Sequence, residues 1–296
     1  MEAVEVLELP EKDAERNAFV NLDPAGFFIR PPPKPHELDT FITPEDQVFQ
    51  TIHMGAAFVD HGQWLLVVDG LVERPFALSL PLLQQLPSRT ITAFHECFGS
   101  PLKAATTALW RVGNVRWTGV PLHTLLQIAQ PLPQAQFVWS EGLDRGDFST
   151  LQTDRYQKDL PLAKALGDEV LLAYEINGKP LSKEQGAPVR LVVPGWFGTN
   201  ATKWVCRLSV QAGRAPGPFT TTLYNVPDPV SGVLRPVWQA EVNSMIVRPA
   251  PGAKVGTEVR VEGWAWGERD VERVEVTVNS GVEAHQITLL SRCDAD

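Results

Sequence analysis

The sequence predicts an α+β protein: a mixed domain of short strands and short helices, followed by a small all-β carboxy-terminal piece. Apolar runs of strand length recur at 64–70, 91–94, 137–140, 170–176 and 189–193, each closed by Gly, Pro or Asn-Gly punctuation. Helical periodicity is confined to two short segments, one opening near Ser79 and Pro81 and one over Pro121–Ala129. Strands without regularly alternating long helices argue against a doubly wound sheet.

A chain of 296 residues buries a sizeable core, and its composition divides into 1–45, an extended Pro-rich arm, 46–212, the main domain, and 213–296, a partial β-domain. The net charge of −9 comes without a basic block, which argues against nucleic acid and anionic membrane surfaces as partners. No apolar run is long enough to span a bilayer. The acidic start, MEAVEVLELPEKDAER, lacks the apolar segment of a secretory signal. Cys97, Cys206 and Cys293 are too scattered for a disulfide framework or a Cys-x-x-Cys zinc site. The compartment expected from these features is reducing and cytoplasmic.

Taken in order, Phe27-Phe28-Ile29-Arg30 precedes Pro31-Pro32-Pro33-Lys34-Pro35, a polyproline-like strap. Trp64–Gly70 is a strand closing on a Gly turn, and Ser79 caps the helix that follows, with Pro81 in its first turn. Ile91–Phe94 is a buried strand that delivers His95-Glu96-Cys97 to a turn marked by Gly99, Ser100 and Pro101. A lone cysteine is readily a small buried hydrophobe; at a strand end before a turn it is also placed to meet a soft metal as a thiolate.

Pro121–Ala129 puts Leu122, Leu125, Leu126 and Ala129 on one helix face. Phe137–Ser140 ends in Glu141-Gly142-Leu143-Asp144, by type a solvated acidic turn, and Tyr156 to Pro161 follows. Val170–Ile176 enters an Asn177-Gly178 hairpin turn. Val189–Val193 runs into a loop with Gly195, Gly198, Asn200, Thr202 and Lys203, where glycines and a lysine can converge on an anion. The spacing is not that of a Walker loop. Cys206 alternates with Trp204, Leu208 and Val210 and reads as core. Val259 to Trp266, a turn, and the alternation Val274, Val276, Val278 read as one hairpin of a sandwich.

Three stretches together, Cys97-Phe98-Gly99-Ser100, Gly113-Asn114-Val115-Arg116-Trp117-Thr118-Gly119-Val120-Pro121-Leu122 and Pro188-Val189-Arg190 to Pro194-Gly195 with Lys203-Trp204, resemble the sulfite oxidase family of molybdenum-cofactor enzymes. The resemblance implies a sulfite-oxidase-like α+β domain with an immunoglobulin-like β-sandwich behind it, here shortened because 213–296 falls short of a full sandwich. It implies a molybdenum–molybdopterin cofactor with Cys97 as the protein's metal ligand. Asp144, Gln185 (where many members carry His), Arg190 and Lys203 then contact the pterin, as do Ala201 and Thr202 through their backbone. By the same resemblance Arg30 and Tyr156 face the substrate, with Arg30 also at the cofactor, and Trp110 walls the pocket. Pro31 and Pro32 stand where the family has Asn and His.

The implied activity is a two-electron oxygen-atom transfer on a small-molecule substrate, with an external electron acceptor or oxygen and a homodimer through the carboxy-terminal domain. Leu102, however, occupies the position of an arginine that follows the cysteine in sulfite-oxidising members, and Lys103 is one residue later. Loss of one guanidinium weakens anion binding by about 1.5–3 kcal/mol, so weak or absent sulfite turnover is expected. Reduction of an S-oxide or N-oxide by the same centre is the alternative reaction, and a cofactor-empty interaction protein is the alternative class.

Overall fold

The computed structural model describes residues 4–10, 20–100, 110–278 and 283–286; Leu102, Lys103 and Cys293 lie outside them. In chain order the elements that position the site are β1 (Phe28–Arg30), β2 (Gln50–Ile52), β3 (Leu65–Gly70), β4 (Phe76–Ser79), α1 (Leu80–Gln85), β5 (Arg89–Glu96), β6 (Val112–Pro121) and α2 (Leu122–Ala129). Then come β7 (Phe137–Gly142), β8 (Gln157–Pro161), β9 (Leu171–Ile176), β10 (Lys179–Pro180), β11 (Arg190–Val192) and β12 (Val205–Gln211), and finally β13 (Asn243–Arg248), β14 (Glu262–Trp266), β15 (Glu275–Val278) and β16 (Glu283–Gln286).

Two mixed-order sheets form the body. One runs β8-β7-β12-β3-β4, antiparallel except where β12 lies parallel to β3. The other runs β10-β9-β6-β5, with β11 also paired to β9. Between them lies the main core, which includes Trp64, Leu66, Val68, Leu172, Val189, Leu191, Trp204, Leu208 and Val210. Leu122, Leu125, Leu126 and Ala129 of α2 enter that core on the face read from their spacing. Each fully buried leucine contributes roughly 1.5–3 kcal/mol of transfer free energy. Ser79 caps α1 by accepting from Leu82 N. Asn177 and Gly178 both take positive φ, as the two-residue turn between β9 and β10 requires. Cys206 is buried in the core.

The carboxy-terminal strands pair differently from the sequence expectation. β14 joins β13, and β15 joins β16, so the Trp264–Trp266 strand and the Val274–Val278 strand belong to separate two-stranded sheets. The reason is burial: Met245 and Val247 of β13 and Trp266 of β14 cover Leu38, Trp110 and Val112. Among the described residues no helix is long and apolar enough to cross a membrane.

Candidate cofactor site and substrate pocket

β5 pairs along its whole length with β6, ending at Glu96 opposite Val112. One further bond, Cys97 N to Arg111 O at 2.9 Å, carries the ladder to Cys97, and Ser100 N then returns to Cys97 O at 2.9 Å to make the turn. The thiol is free and partly exposed. Gly99 N–H donates to its Sγ at 3.4 Å, and Arg111 Nη1 donates to it at 3.7 Å. A side chain at Gly99 would meet that guanidinium, at 3.0 Å from Nη1. Hydrogen bonds of this kind to a cysteine sulfur orient and tune a metal-bound thiolate. Among the described residues no cluster of three or more His, Cys, Asp or Glu forms a metal site.

Two tyrosines that feel the charge of Cys97 pack with a histidine. Tyr156 is buried and its hydroxyl donates to Thr199 O at 2.7 Å. Burial pushes this phenol well above its ordinary pKa. His53, just past β2, has Nε2 2.6 Å from the Tyr224 hydroxyl and stacks 5.4 Å from the Tyr156 ring. Burial, and then the charge of Lys203, push His53 down to about 4, so its imidazole is neutral at pH 7. Tyr224 is pushed up to about 12 by burial, with Cys97 adding to the shift. Phe148 and Phe219 close the edges of the His53 ring. The pocket thus offers neutral hydroxyl donors in an aromatic wall.

Deeper lies a pair of cations. Arg190, on β11, donates from Nη1 to Gln185 O at 3.1 Å and from Nη2 to Ala201 O at 3.4 Å, with its guanidinium 4.9 Å over the Trp117 ring. Lys203 Nζ donates to Glu184 O at 2.6 Å, Gln50 Oε1 at 2.9 Å and Thr51 O at 3.3 Å. Burial pushes Arg190 down to about 10. Burial and the charge of Arg190 push Lys203 well below the usual lysine range, with Asp144 opposing. Asp144 is itself pushed up to about 7 by burial, against the pull of Lys203.

Asp144 Oδ1, Arg190 Nε, Thr51 Oγ1 and Arg30 Nε are buried without hydrogen-bond partners. Buried polar groups are normally satisfied, and like charges do not share a buried site without a counter-charge. A polar, anion-bearing group seated here satisfies both demands.

The structure therefore brings Arg190, Lys203, Asp144, Gln185 and Ala201 together. Gln185 braces its own turn, its Oε1 accepting from Ser182 N at 2.8 Å. Ala201 N–H already donates to Gly198 O, so its carbonyl is what reaches Arg190. Thr202 is buried, with its hydroxyl 2.7 Å from Ser140 Oγ.

The remaining expected residues are Arg30 and Trp110. Arg30 Nη2 bonds the carbonyls of Val48 (3.0 Å) and Glu45 (3.3 Å), and its charge acts on Lys203. Its position on β1, opposite Gln50 of β2, carries it to the lysine end. Trp110, expected to wall the pocket, is buried edge-on to Trp266 with ring centroids 5.5 Å apart, where β14 packs. His53, Arg111 and Tyr224 were missed in the sequence. His53 had a signal in the apolar-flanked run Phe49-Gln50-Thr51-Ile52-His53, whereas Tyr224, in a Pro/Gly-rich stretch, had none.

Comparison with known proteins places the chain in one family. The family model for the oxidoreductase molybdopterin binding domain matches residues 53–219. Sulfite oxidase of Gallus gallus is 30% identical over 91% of this chain and 63% of its own length. The mitochondrial sulfite oxidase of Mus musculus is 32% identical over 91% of this chain and 53% of its own length. The chain thus spans little more than half the length of these relatives. Among solved structures, the sulfane dehydrogenase SoxCD from Paracoccus pantotrophus superposes with a TM-score of 0.75 at 27% identity, covering 98% of this chain and 72% of that one.

Proposed function

Because the chain belongs to the family of oxidoreductases with a molybdopterin-binding domain, we propose that it carries one molybdenum–pterin centre and moves an oxygen atom to or from a small substrate in a two-electron step. The observation that carries this reading is the buried cation pair Arg190 and Lys203 beside the unpartnered Asp144 Oδ1 and Arg190 Nε, which together fit a phosphate-bearing, hydrogen-bonding heterocycle. Cys97 would hold the metal. Arg190, Lys203, Asp144, Gln185, Ala201 and Thr202 would hold the pterin and its phosphate. The bound centre supplies the two-electron redox chemistry, and the protein supplies orientation and electrostatics.

The chain's own residues then have separable tasks. Gly99 N–H and Arg111 brace the Cys97 sulfur. Tyr156 and Tyr224 stay protonated at pH 7; the Tyr156 proton is committed to Thr199 O, so the Tyr224 hydroxyl is the one that can donate to substrate oxygen. His53 holds the Tyr224 hydroxyl, and Phe148 and Phe219 exclude water from that side. The free thiol of Cys97 fits a reducing compartment. In this reading an external acceptor or oxygen exchanges the electrons, and the carboxy-terminal strands mediate a homodimer.

The test is molybdenum per chain by elemental analysis, on the wild type and on Cys97→Ser, made in a host that synthesises the cofactor. Near-stoichiometric metal in the wild type, lost or spectroscopically altered in the variant, is expected. A well-folded wild type that takes up no molybdenum under competent supply would sink the redox reading.

A further inference from the structure

Behind the aromatic wall stands a buried cation, Lys158. It lies on β8, two residues after Tyr156, and is only 1% exposed. β8 is the edge strand of its sheet, and the segment 214–220 wraps that edge. Ala215 N donates to Asp159 Oδ2 at 2.8 Å, Gly217 N to Gln157 Oε1 at 3.2 Å and Thr220 Oγ1 to Gln157 O at 3.4 Å. Successive side chains of a strand alternate in direction, so Lys158 turns away from Gln157 and Asp159. Its ammonium donates to Phe219 O at 2.9 Å and stands over the Tyr224 ring, 5.5 Å from the centroid.

Among the described residues no carboxylate pairs with this ammonium: Asp159, its neighbour, is held by Arg214 at 2.6 Å. A buried charge without a counter-charge is costly, and the π face of Tyr224 is the electron-rich surface that meets it. Both contacts lead to the pocket. Phe219 belongs to the short helix Pro218–Thr221, and its ring lies 4.4 Å from that of Tyr156 and 5.1 Å from that of His53. Tyr224 meets His53 Nε2 through its hydroxyl at 2.6 Å. Its φ is +56°, a left-handed conformation that residues other than glycine rarely adopt and that persists where the surroundings fix it. Here His53 holds the hydroxyl end and Lys158 the ring face.

We propose that Lys158 is a positioning residue of the substrate pocket: its ammonium, fixed on Phe219 O, holds the Tyr224 ring by its face and so sets the hydroxyl that meets substrate oxygen. This rests on the reading of Tyr224 as the substrate's hydrogen-bond donor. Burial pushes Lys158 down to about 8, with Asp159 opposing and Arg214 adding to the shift. As pH rises through that value, Tyr224 loses the cation over its ring. His53, at about 4, Tyr224 itself, at about 12, and Tyr156, well above the usual phenol range, keep their charge states there. Cys97 and Arg111 also act on Tyr224, and a Lys158 variant separates their effect from that of the lysine.

The experiment follows the Tyr224 ring directly, by nuclear magnetic resonance of the full chain labelled with carbon-13 at the tyrosine Cζ. The chain has three tyrosines, so Tyr224→Phe identifies the signal, and Tyr174 on β9 is the internal control. Wild type and Lys158→Met, which fills a similar volume without the charge, are compared between about pH 6 and 10. Molybdenum per chain is measured on the same samples. The wild-type Tyr224 signal is expected to shift with a midpoint of about 8. In Lys158→Met the signal should be displaced and that shift lost, with Tyr174 unmoved by the substitution.

A wild-type Tyr224 signal with no response near pH 8 overturns the proposal, and this arm decides alone if the methionine variant fails to fold. A response that persists in folded Lys158→Met also overturns it, since another group is then its source. So does a destabilised variant whose Tyr224 signal is unchanged, which assigns Lys158 to packing. A wild type without molybdenum defeats the redox reading separately, and the titration still judges Lys158.

Discussion

The indole Nε1 of Trp266 donates to Glu96 Oε2 across 2.8 Å, so strand β14 is bonded to the residue immediately before Cys97. The carboxy-terminal strands therefore bear on the cysteine turn through the polar contacts of Trp266 and Asn243 with Glu96 and the Trp110–Trp266 packing beside them.

Burial pushes Glu96 up to about 7, and the bonds from Trp266 and Asn243 oppose that shift. A carboxyl with a raised folded-state pKa contributes stability fully below its unfolded value near 4.5 and loses it as pH rises through about 7. Trp266→Phe removes the donor, so its deficit should be larger at pH 8 than at pH 5, reaching about 1–3 kcal/mol at the higher pH. Urea unfolding at both pH values checks this. Equal deficits would assign Trp266 to packing alone.

His53 has the opposite sign. Its pKa falls from 6.5 unfolded to about 4 folded, so the unfolded chain binds the extra proton between those values. Stability is fully present above 6.5 and drains away as pH falls toward 4. His53→Gln keeps a hydrogen-bonding group for Tyr224 and removes the titration. The variant should lose less stability than the wild type between pH 7 and 4, by on the order of 1–3 kcal/mol. Parallel stability–pH curves would contradict the buried, neutral imidazole.

Asp144 is pushed from 3.8 to about 7 by burial, and its Oδ1 has no partner. In cofactor-free protein the Asp144 contribution to stability therefore falls as pH rises from 4 to 7. Asp144→Asn cannot titrate, so in cofactor-free protein it should match the wild type near pH 4 and exceed it by on the order of 1–3 kcal/mol at pH 8. Under cofactor supply the same variant should retain less molybdenum. A variant less stable at pH 8 and equally loaded would remove Asp144 from the pterin site.

Much was legible in the chain because it is local. The α2 face, the Ser79 cap and the Asn177-Gly178 turn follow from spacing and φ preference, and each is found in the structure. The thiol at the end of β5 and the Arg190 to Lys203 loop were likewise readable from apolar runs ending in glycine turns. Trp110 and the Trp264–Trp266 strand were not. An aromatic beside a motif packs equally well into a pocket or under another sheet, and only the arrival of β14 decides between them.

Sequence by itself determined the α+β class, the molybdopterin-type motifs, and which turns could carry a thiol and a cation pair. These are short-range properties of hydrophobic period and turn chemistry. The tertiary structure alone decided that Arg111 lies against the Cys97 sulfur and that His53 meets Tyr224, 171 positions apart in sequence. Strand register and sheet order bring such groups together, and long-range pairing leaves no periodic trace at any one of them.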